Sequence, residues 1–188
     1  MKQTPSQTIG PYFAYGLTPK QYNYDHGNIC SPELADKSAK GEHIIIKGIV
    51  LDGNNQPVND AMIEIWQPNS KGEFIHEKKD GFVSFGRCGT GTTEVNQFEF
   101  KTIKPGSLNG APYINVIVFM RGILSHMYTR MYFSDEASAN SEDNFLNQID
   151  DNRKHTLIAN KLPGGGEENV YEFNIHMQGD NETVFLDY

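Results

Sequence analysis

Residues 48–66 read GIVLDGNNQPVNDAMIEIW, and this stretch decides the fold class. Its first four residues end a β-branched run, His43–Leu51, and the turn-forming residues DGNN follow at 52–55. In Ala61–Trp66, the alternation of a strand puts Ile63 and Ile65 on one face and Met62, Glu64 and Trp66 on the other. The stretch therefore predicts two strands joined by a tight turn, and it leaves the function open.

Further strand patterns follow at the spacing of a single β-rich domain. They are the runs Phe98–Ile103, Tyr113–Met120, His126–Phe133 and Tyr171–Met177, with a short one at Val184–Leu186. Only residues 134–149 are typical of a helix, with Ser134 as the expected N-cap. About seven strands and one short helix predict a mainly β fold of the two-sheet β-sandwich type.

The first 40 residues have a different composition, rich in Pro, Gly, Asn and Tyr, and no sustained period. We expect residues 1–40 to form an extended N-terminal arm and residues 41–188 to form the β-sandwich domain. The aromatic side chains of the arm are too much apolar surface to leave in water, so we expect it to pack on the core and on a partner chain.

Composition and charge exclude several functions. The chain has 188 residues, about one domain, and 16 Lys and Arg against 24 Asp and Glu give a net charge of -8. This charge argues against a nucleic-acid partner, and the longest apolar run, Ile114–Met120, is too short to cross a membrane. With no signal-peptide pattern and with Cys30 and Cys88 expected as free thiols, we predict a cytoplasmic protein.

Standard catalytic and metal-binding motifs are missing. The glycine-rich residues 86–91, GRCGTG, lack the Gly-Lys-Ser/Thr ending of a phosphate loop, so we expect a loop between strands. The six histidines include no pair at the spacing that directs two imidazoles to one metal from a strand or a helix. Local motifs therefore predict no catalytic residue and no metal ligand.

Two features do indicate chemistry. In residues 4–12, TPSQTIGPY, Gly10 and Pro11 restrict the backbone and Tyr12 adds a ring with a polar tip, although a simple packing segment would look the same. Arg121 follows the most apolar run, where its guanidinium could hold a carboxylate through paired hydrogen bonds. A surface ion pair is the alternative interpretation of this arginine.

Several segments together resemble the intradiol ring-cleaving dioxygenases. The similarity runs from Thr4 to Tyr188, and the TPSQTIGPY opening and the GDNETVFLDY ending are its most specific parts. The resemblance implies a heteromer in which a homologous β chain binds non-haem Fe(III) and this chain is the iron-free subunit. The implied reaction is the O2-dependent cleavage of protocatechuate to 3-carboxy-cis,cis-muconate.

The resemblance also places the family's iron-ligand positions in this chain. They correspond to Phe74, Leu108, Tyr113 and Asn115. Phe74 and Leu108 have no donor atom and Asn115 offers only a neutral amide, so Tyr113 alone could not hold Fe(III). We therefore expect degenerate ligand positions, no metal and no catalytic residue in this chain.

The same resemblance assigns substrate-binding positions to Thr8, Gly10, Pro11, Tyr12 and Arg121. These residues would line the pocket of the neighbouring iron chain, with a flat wall for the ring and a positive charge for the carboxylate. Two alternatives stay open at this point. One is a homomeric intradiol dioxygenase with altered ligands, and the other is a β-sandwich binding or structural module that shares only the fold.

Overall fold

Burial alternates along the first strand and thereby defines the core. The computed structural model describes residues 10–91, 93–164, 166 and 168–187. In strand β1 (His43–Leu51), Ile44, Ile46 and Val50 are buried, whereas the side chains between them are half-buried. A period of two residues is the pattern of a strand with one face on a core.

Eight further strands follow in the described part of the chain. They are β2 (Met62–Trp66), β3 (Phe85–Gly89), β4 (Gln97–Ile103), β5 (Tyr113–Phe119), β6 (Met127–Phe133), β7 (Ile158–Lys161), β8 (Asn169–Glu172) and β9 (Ile175–His176). Strands β1, β2, β4, β5 and β6 lie within a residue or two of their predicted bounds. The predicted run Tyr171–Met177 is instead divided between β8 and β9, and β7 was not predicted. The mainly β prediction is confirmed.

Helical segments are short. Within the described ranges they are α1 (Pro11–Leu17), α2 (Ala137–Glu142) and α3 (Asp151–Lys154), with 3-10 turns at Pro19–Tyr22, Leu146–Gln148 and His155–Leu157. None of the helices in this part of the chain has the length and apolar character needed to span a membrane.

The strands form one continuous path of pairings. Its order is β3-β2-β5-β6-β7-β8-β1-β4, and β9 pairs with β1. Strand β7 joins the two halves, because it pairs parallel with β6 at its start and antiparallel with β8 at its end. The sheet folds back around one core until β3 contacts β4, which makes it nearly closed. The predicted division into two sheets is therefore not confirmed.

The gap between the edge strands β3 and β4 is filled by residues 31–35. On one side the Arg87 N–H donates to the Ser31 carbonyl at 3.2 Å, and on the other the Leu34 N–H donates to the Lys101 carbonyl at 2.8 Å. The Leu34 side chain is completely buried in the core. This segment therefore connects the two edges of the sheet.

The N-terminal stretch is partly helical, which corrects the prediction of an extended arm. Its 3-10 turn is attached to β3 by Gln21, whose amide nitrogen donates to the Gly89 carbonyl at 3.1 Å and whose amide oxygen accepts the Gly89 N–H at 2.9 Å. The Phe13 ring of α1 lies 5.9 Å from the Phe119 ring. A helix of two turns is too short to show a period of 3.6 residues in the sequence.

The single helix predicted over residues 134–149 is also wrong. Helix α2 begins after Glu136 rather than Ser134, and it ends at Asp143, where the backbone becomes extended. The buried Asp143 carboxylate accepts hydrogen bonds from the backbone N–H groups of Ala111, Phe145 and Leu146 at 2.9–3.0 Å. A short acidic side chain that binds nearby backbone N–H groups competes with helix formation.

Strand β3 lies where the glycine-rich residues 86–91 predicted a loop. A Cβ on Gly86 would approach Leu34 Cδ1 to 2.3 Å, so glycine permits the close packing of residues 31–35 on this strand. The predicted strand Val184–Leu186 is instead an isolated bridge between Leu186 and Tyr128. These differences arise from contacts with residues distant in sequence.

The Asp135 carboxylate connects three strands. It accepts a hydrogen bond from the Tyr171 hydroxyl of β8 at 2.8 Å, and it pairs with Lys104 after β4 at 3.1 Å and with Lys161 of β7 at 3.3 Å. Burial alone would raise the pKa of Asp135, but the hydrogen bonds from Tyr171 and Lys104 outweigh it and lower that pKa. Burial and the bond to Asp135 raise the pKa of the Tyr171 hydroxyl.

The raised pKa of Tyr171 predicts a loss of stability in alkali. The folded protein keeps this proton at pH values where the unfolded chain releases it, so the contribution is complete below about pH 10 and is lost as the pH rises further. We expect urea titrations to show a free energy of unfolding that falls above about pH 10, and falls less steeply in Tyr171→Phe. Tyr24→Phe, at a half-exposed ring, is the control and keeps the original slope. Identical slopes in Tyr171→Phe and the unmodified protein would contradict this assignment.

Removing the Asp143 carboxylate is expected to destabilise the protein. Asp143→Ala leaves the backbone N–H groups of Ala111 and Leu146 buried without their acceptor, and each such group costs about 1–3 kcal/mol. We expect a loss of about 2–4 kcal/mol in the free energy of unfolding, measured by urea titration. Glu142→Ala, at the neighbouring exposed carboxylate, should change it by less than about 0.5 kcal/mol. A loss below about 1 kcal/mol in Asp143→Ala would show that water replaces the carboxylate.

Candidate functional site

Strand β5 ends at the corner of the sheet where the N-terminal segment packs. Arg121 follows this strand in a turn with Gly122, whose φ of 87° is in the left-handed region that favours glycine. The Phe13 ring of α1 contacts Phe119, the last residue of β5. The Phe13 N–H donates to the Gly10 carbonyl at 3.0 Å, so α1 brings Gly10 toward the corner that also holds Arg121.

The predicted substrate-binding residues have different positions in the structure. Thr8 lies outside the described residues, Gly10 precedes α1, and Pro11 and Tyr12 form the first turn of that helix. The Arg121 side chain is 59% exposed. The structure thus places α1 and Arg121 at one corner of the sheet.

Arg121 forms an ion pair with Asp60, in which its Nε donates to Asp60 Oδ2. The Asp60 side chain is only 17% exposed and lies in the bend before β2. Thr90 clamps this bend on both sides of Asp60, because its hydroxyl donates to the Val58 carbonyl at 2.7 Å and accepts the Ala61 N–H at 3.0 Å. The carboxylate is therefore held by a rigid backbone.

Two further contacts fix the same bend. Gly91 has a φ of 87°, and a Cβ there would lie 1.9 Å from the Asn59 carbonyl oxygen, so no larger residue fits without movement of the backbone. The Tyr22 hydroxyl donates to the Thr90 carbonyl at 3.4 Å. Burial, followed by the neighbouring Tyr15 and Asp60, raises the pKa of Tyr22, so this phenol stays neutral beside the ion pair.

The positions at which the resemblance implies iron ligands lie elsewhere, on or near the outer face of β5. Tyr113 and Asn115 point away from the core, since the residues that alternate with them are buried. Asn115 pairs in register with Trp66 of β2, and the Phe74 ring stacks on Trp66 with a centroid distance of 5.6 Å. Leu108 lies in the loop before β5 and is partly exposed. Three of the four positions thus share one face of the sheet.

An arginine side chain fills part of this outer face. The Arg130 guanidinium carbon lies 4.3 Å from the centre of the Tyr113 ring and 4.2 Å from that of Phe145. Such stacking is favourable, and it places a positive charge beside Tyr113, the one phenol among the four positions. No group of three or more His, Cys, Asp or Glu side chains in the described residues could hold a metal ion. The donor set and the arginine together do not fit Fe(III).

Asp60 and Arg130 are the two residues of these sites that the sequence did not indicate. Asp60 stands in a polar turn before a strand, where acidic residues are common. Arg130 belongs to an alternating strand, and its position opposite Asn115 depends on the register of β5 and β6. Both interactions could be found only from strand pairing, since no local pattern distinguishes these residues from other surface charges.

Solved structures of other proteins share this fold. The dioxygenase domain of a dioxygenase carbohydrate-binding protein fusion from Streptomyces sp. SirexAA-E superposes with a TM-score of 0.61 at 20% identity, over 97% of this chain and 100% of that one. An intradiol ring-cleavage dioxygenase from Tetranychus urticae gives 0.59 at 18% identity, over 94% of each chain. At these identities the likeness concerns the fold alone.

Sequence comparisons extend over the whole chain. It is 48% identical to the protocatechuate 3,4-dioxygenase alpha chain of Burkholderia cepacia and 40% identical to that of Pseudomonas putida, in each case over 100% of this chain and 98% of the relative. It is also 27% identical to the beta chain of the Burkholderia cepacia enzyme, over 76% of this chain and 67% of the relative. The model of the Dioxygenase family matches residues 9–179. These matches confirm the resemblance carried by the terminal motifs, and the chain belongs to the intradiol ring-cleaving dioxygenases.

Proposed function

We propose that this chain is the iron-free alpha subunit of a protocatechuate 3,4-dioxygenase. In the proposed enzyme it shapes the substrate pocket of a homologous beta chain, which binds Fe(III). The reaction joins O2 to protocatechuate, breaks the bond between the two hydroxyl-bearing carbons and gives 3-carboxy-cis,cis-muconate. One observation carries the proposal: the full-length match to alpha chains coincides with the side chains Phe74, Leu108, Tyr113 and Asn115 at the ligand positions.

The proposed partner is the beta chain. Two relatives that match over the full length are named as alpha chains, and a protein with an alpha chain has a second kind of subunit. The match to a beta chain, at 27% identity, supports a common fold for both subunits. In this proposal the iron belongs to the partner, no step of the reaction is assigned to the outer face of β5, and this chain has no catalytic residue.

The proposed contribution of this chain is to bind the substrate. Protocatechuate combines a flat ring with a carboxylate, and a pocket for it needs an apolar wall and a cation. Arg121 would supply the cation, because its exposed guanidinium stands at the corner where α1 packs. Thr8, Gly10, Pro11 and Tyr12 would form the wall.

A cytoplasmic location belongs to the same proposal. Cys30 and Cys88 are free thiols, as is usual for proteins of reducing compartments. The net charge of -8 supports a role without nucleic acid. In this proposal the complete enzyme binds a small aromatic acid and O2.

Iron content tests the assignment of subunits. This chain purified alone is expected to be colourless, with less than about 0.1 iron per molecule, since its ligand positions lack hard anionic donors. The complex with the beta chain should contain about one iron per pair of chains and absorb visible light through ligand-to-iron charge transfer. A coloured chain with about one iron per molecule would contradict the proposal and favour a homomeric enzyme with altered ligands. Failure to associate with any iron-binding homologue would favour a module that shares only the fold.

Substrate binding by Arg121 has its own test. In the assembled enzyme, Arg121→Ala should raise KM for protocatechuate about tenfold, equivalent to about 1.4 kcal/mol of lost binding, with a smaller change in kcat. Lys78→Ala is the matched control, because it removes a positive charge from another exposed ion pair, with Asp36. Unchanged kinetics in Arg121→Ala would mean that this residue does not bind the substrate.

A further inference from the structure

We propose that Asp60 is a positioning residue for the substrate's carboxylate, acting through Arg121. It holds the guanidinium by Nε, so that the edge formed by the two Nη atoms is directed at the anion. This inference rests on the proposed function, since the pocket concerned is the one that Arg121 would share with the beta chain. It adds a residue that has no counterpart among the predicted site residues.

The geometry of the guanidinium supports this role. An arginine has two separate edges for hydrogen bonding, a side edge that includes Nε and an end edge made of both Nη atoms. Asp60 occupies Nε, on the side edge. The end edge lies on the far side of the group and can make two parallel hydrogen bonds to a carboxylate. Asp60, Arg121 and the substrate would thus form a row of alternating charges.

Asp60 would restrict the conformations of the Arg121 side chain before the substrate binds. A long side chain that is 59% exposed samples many rotamers, and it loses this freedom when it binds a ligand. Asp60 reduces that loss, because its own carboxylate is largely buried. The Thr90 clamp holds the Asp60 backbone through hydrogen bonds that do not involve Arg121. The Asp60 carboxylate therefore fixes the direction of the Arg121 guanidinium.

The ion pair also affects selectivity. With Asp60 beside it, Arg121 contributes little net charge to the corner, and exposed charges are further screened by salt. The binding free energy of an anion at this site then comes mainly from hydrogen bonds of the correct direction. A planar carboxylate at a fixed distance from an aromatic ring meets that condition, whereas a freely diffusing anion gains little.

Kinetics of the assembled enzyme test the proposal. Asp60→Ala should raise KM for protocatechuate about tenfold, and Asp60→Asn, which keeps an acceptor oxygen and the side-chain volume, should raise it about threefold or less. We expect kcat to stay within about twofold, and KM for catechol, which lacks the carboxylate, to stay unchanged. In an Arg121→Ala background, Asp60→Ala should cause no further rise, because the two residues act as one unit. Asp151→Ala is the control, since it also removes a carboxylate from an ion pair, in this case one with Lys154.

Several results would overturn the inference. A lower KM for protocatechuate in Asp60→Ala would mean that Asp60 competes with the substrate. Equal rises for protocatechuate and catechol would mean a general structural role, and additive effects with Arg121→Ala would mean an independent one. If Arg121→Ala raises KM but Asp60→Ala does not, this inference alone fails. If Arg121→Ala also has no effect, the binding site in the proposed function fails with it.

Discussion

Strand β5 buries Ile114, Val116 and Val118 in the core, each 2% exposed or less, and this packing determines where the functional positions lie. Because side chains alternate along a strand, burial of one set turns Tyr113 and Asn115 outward. A shift of one residue in register would exchange the two faces and would also displace the turn that carries Arg121. The geometry of both sites therefore depends on the packing of apolar side chains on the opposite face.

Two arginines near β5 have opposite environments, and the difference matches what each can do. The Arg130 guanidinium stacks on the rings of Tyr113 and Phe145, so its positive charge lies on the face that carries the positions at which the resemblance implies iron ligands. Arg121 is exposed, and Asp60 pairs with one edge of its guanidinium, so the other edge can still reach a ligand. One arginine thus fills part of the outer face of β5, whereas the other leaves a hydrogen-bonding edge for a ligand at the corner of the sheet.

Local patterns predicted those elements whose structure is determined locally. The alternation in His43–Leu51 was sufficient for β1, and the end of an apolar run was sufficient to place Arg121 just after a strand. Strand β3 was missed because its Gly86 accommodates Leu34, which is distant in sequence. Asp60 was missed for the same reason, since its partner lies 61 residues away. Contacts of this kind become predictable only when strand pairing is known.

Residues 31–35 and Gln21 together cover backbone groups at the edges of the sheet. An uncovered edge strand offers a row of N–H and C=O groups to which another chain can add as an extra strand. Gln21 occupies both backbone groups of Gly89, as a neighbouring strand would, and residues 31–35 occupy the gap beyond it. Gln21 and residues 31–35 therefore protect these edges from pairing with a strand of another molecule. An edge whose N–H and C=O groups are already bonded in this way has fewer groups left for strand addition by another chain.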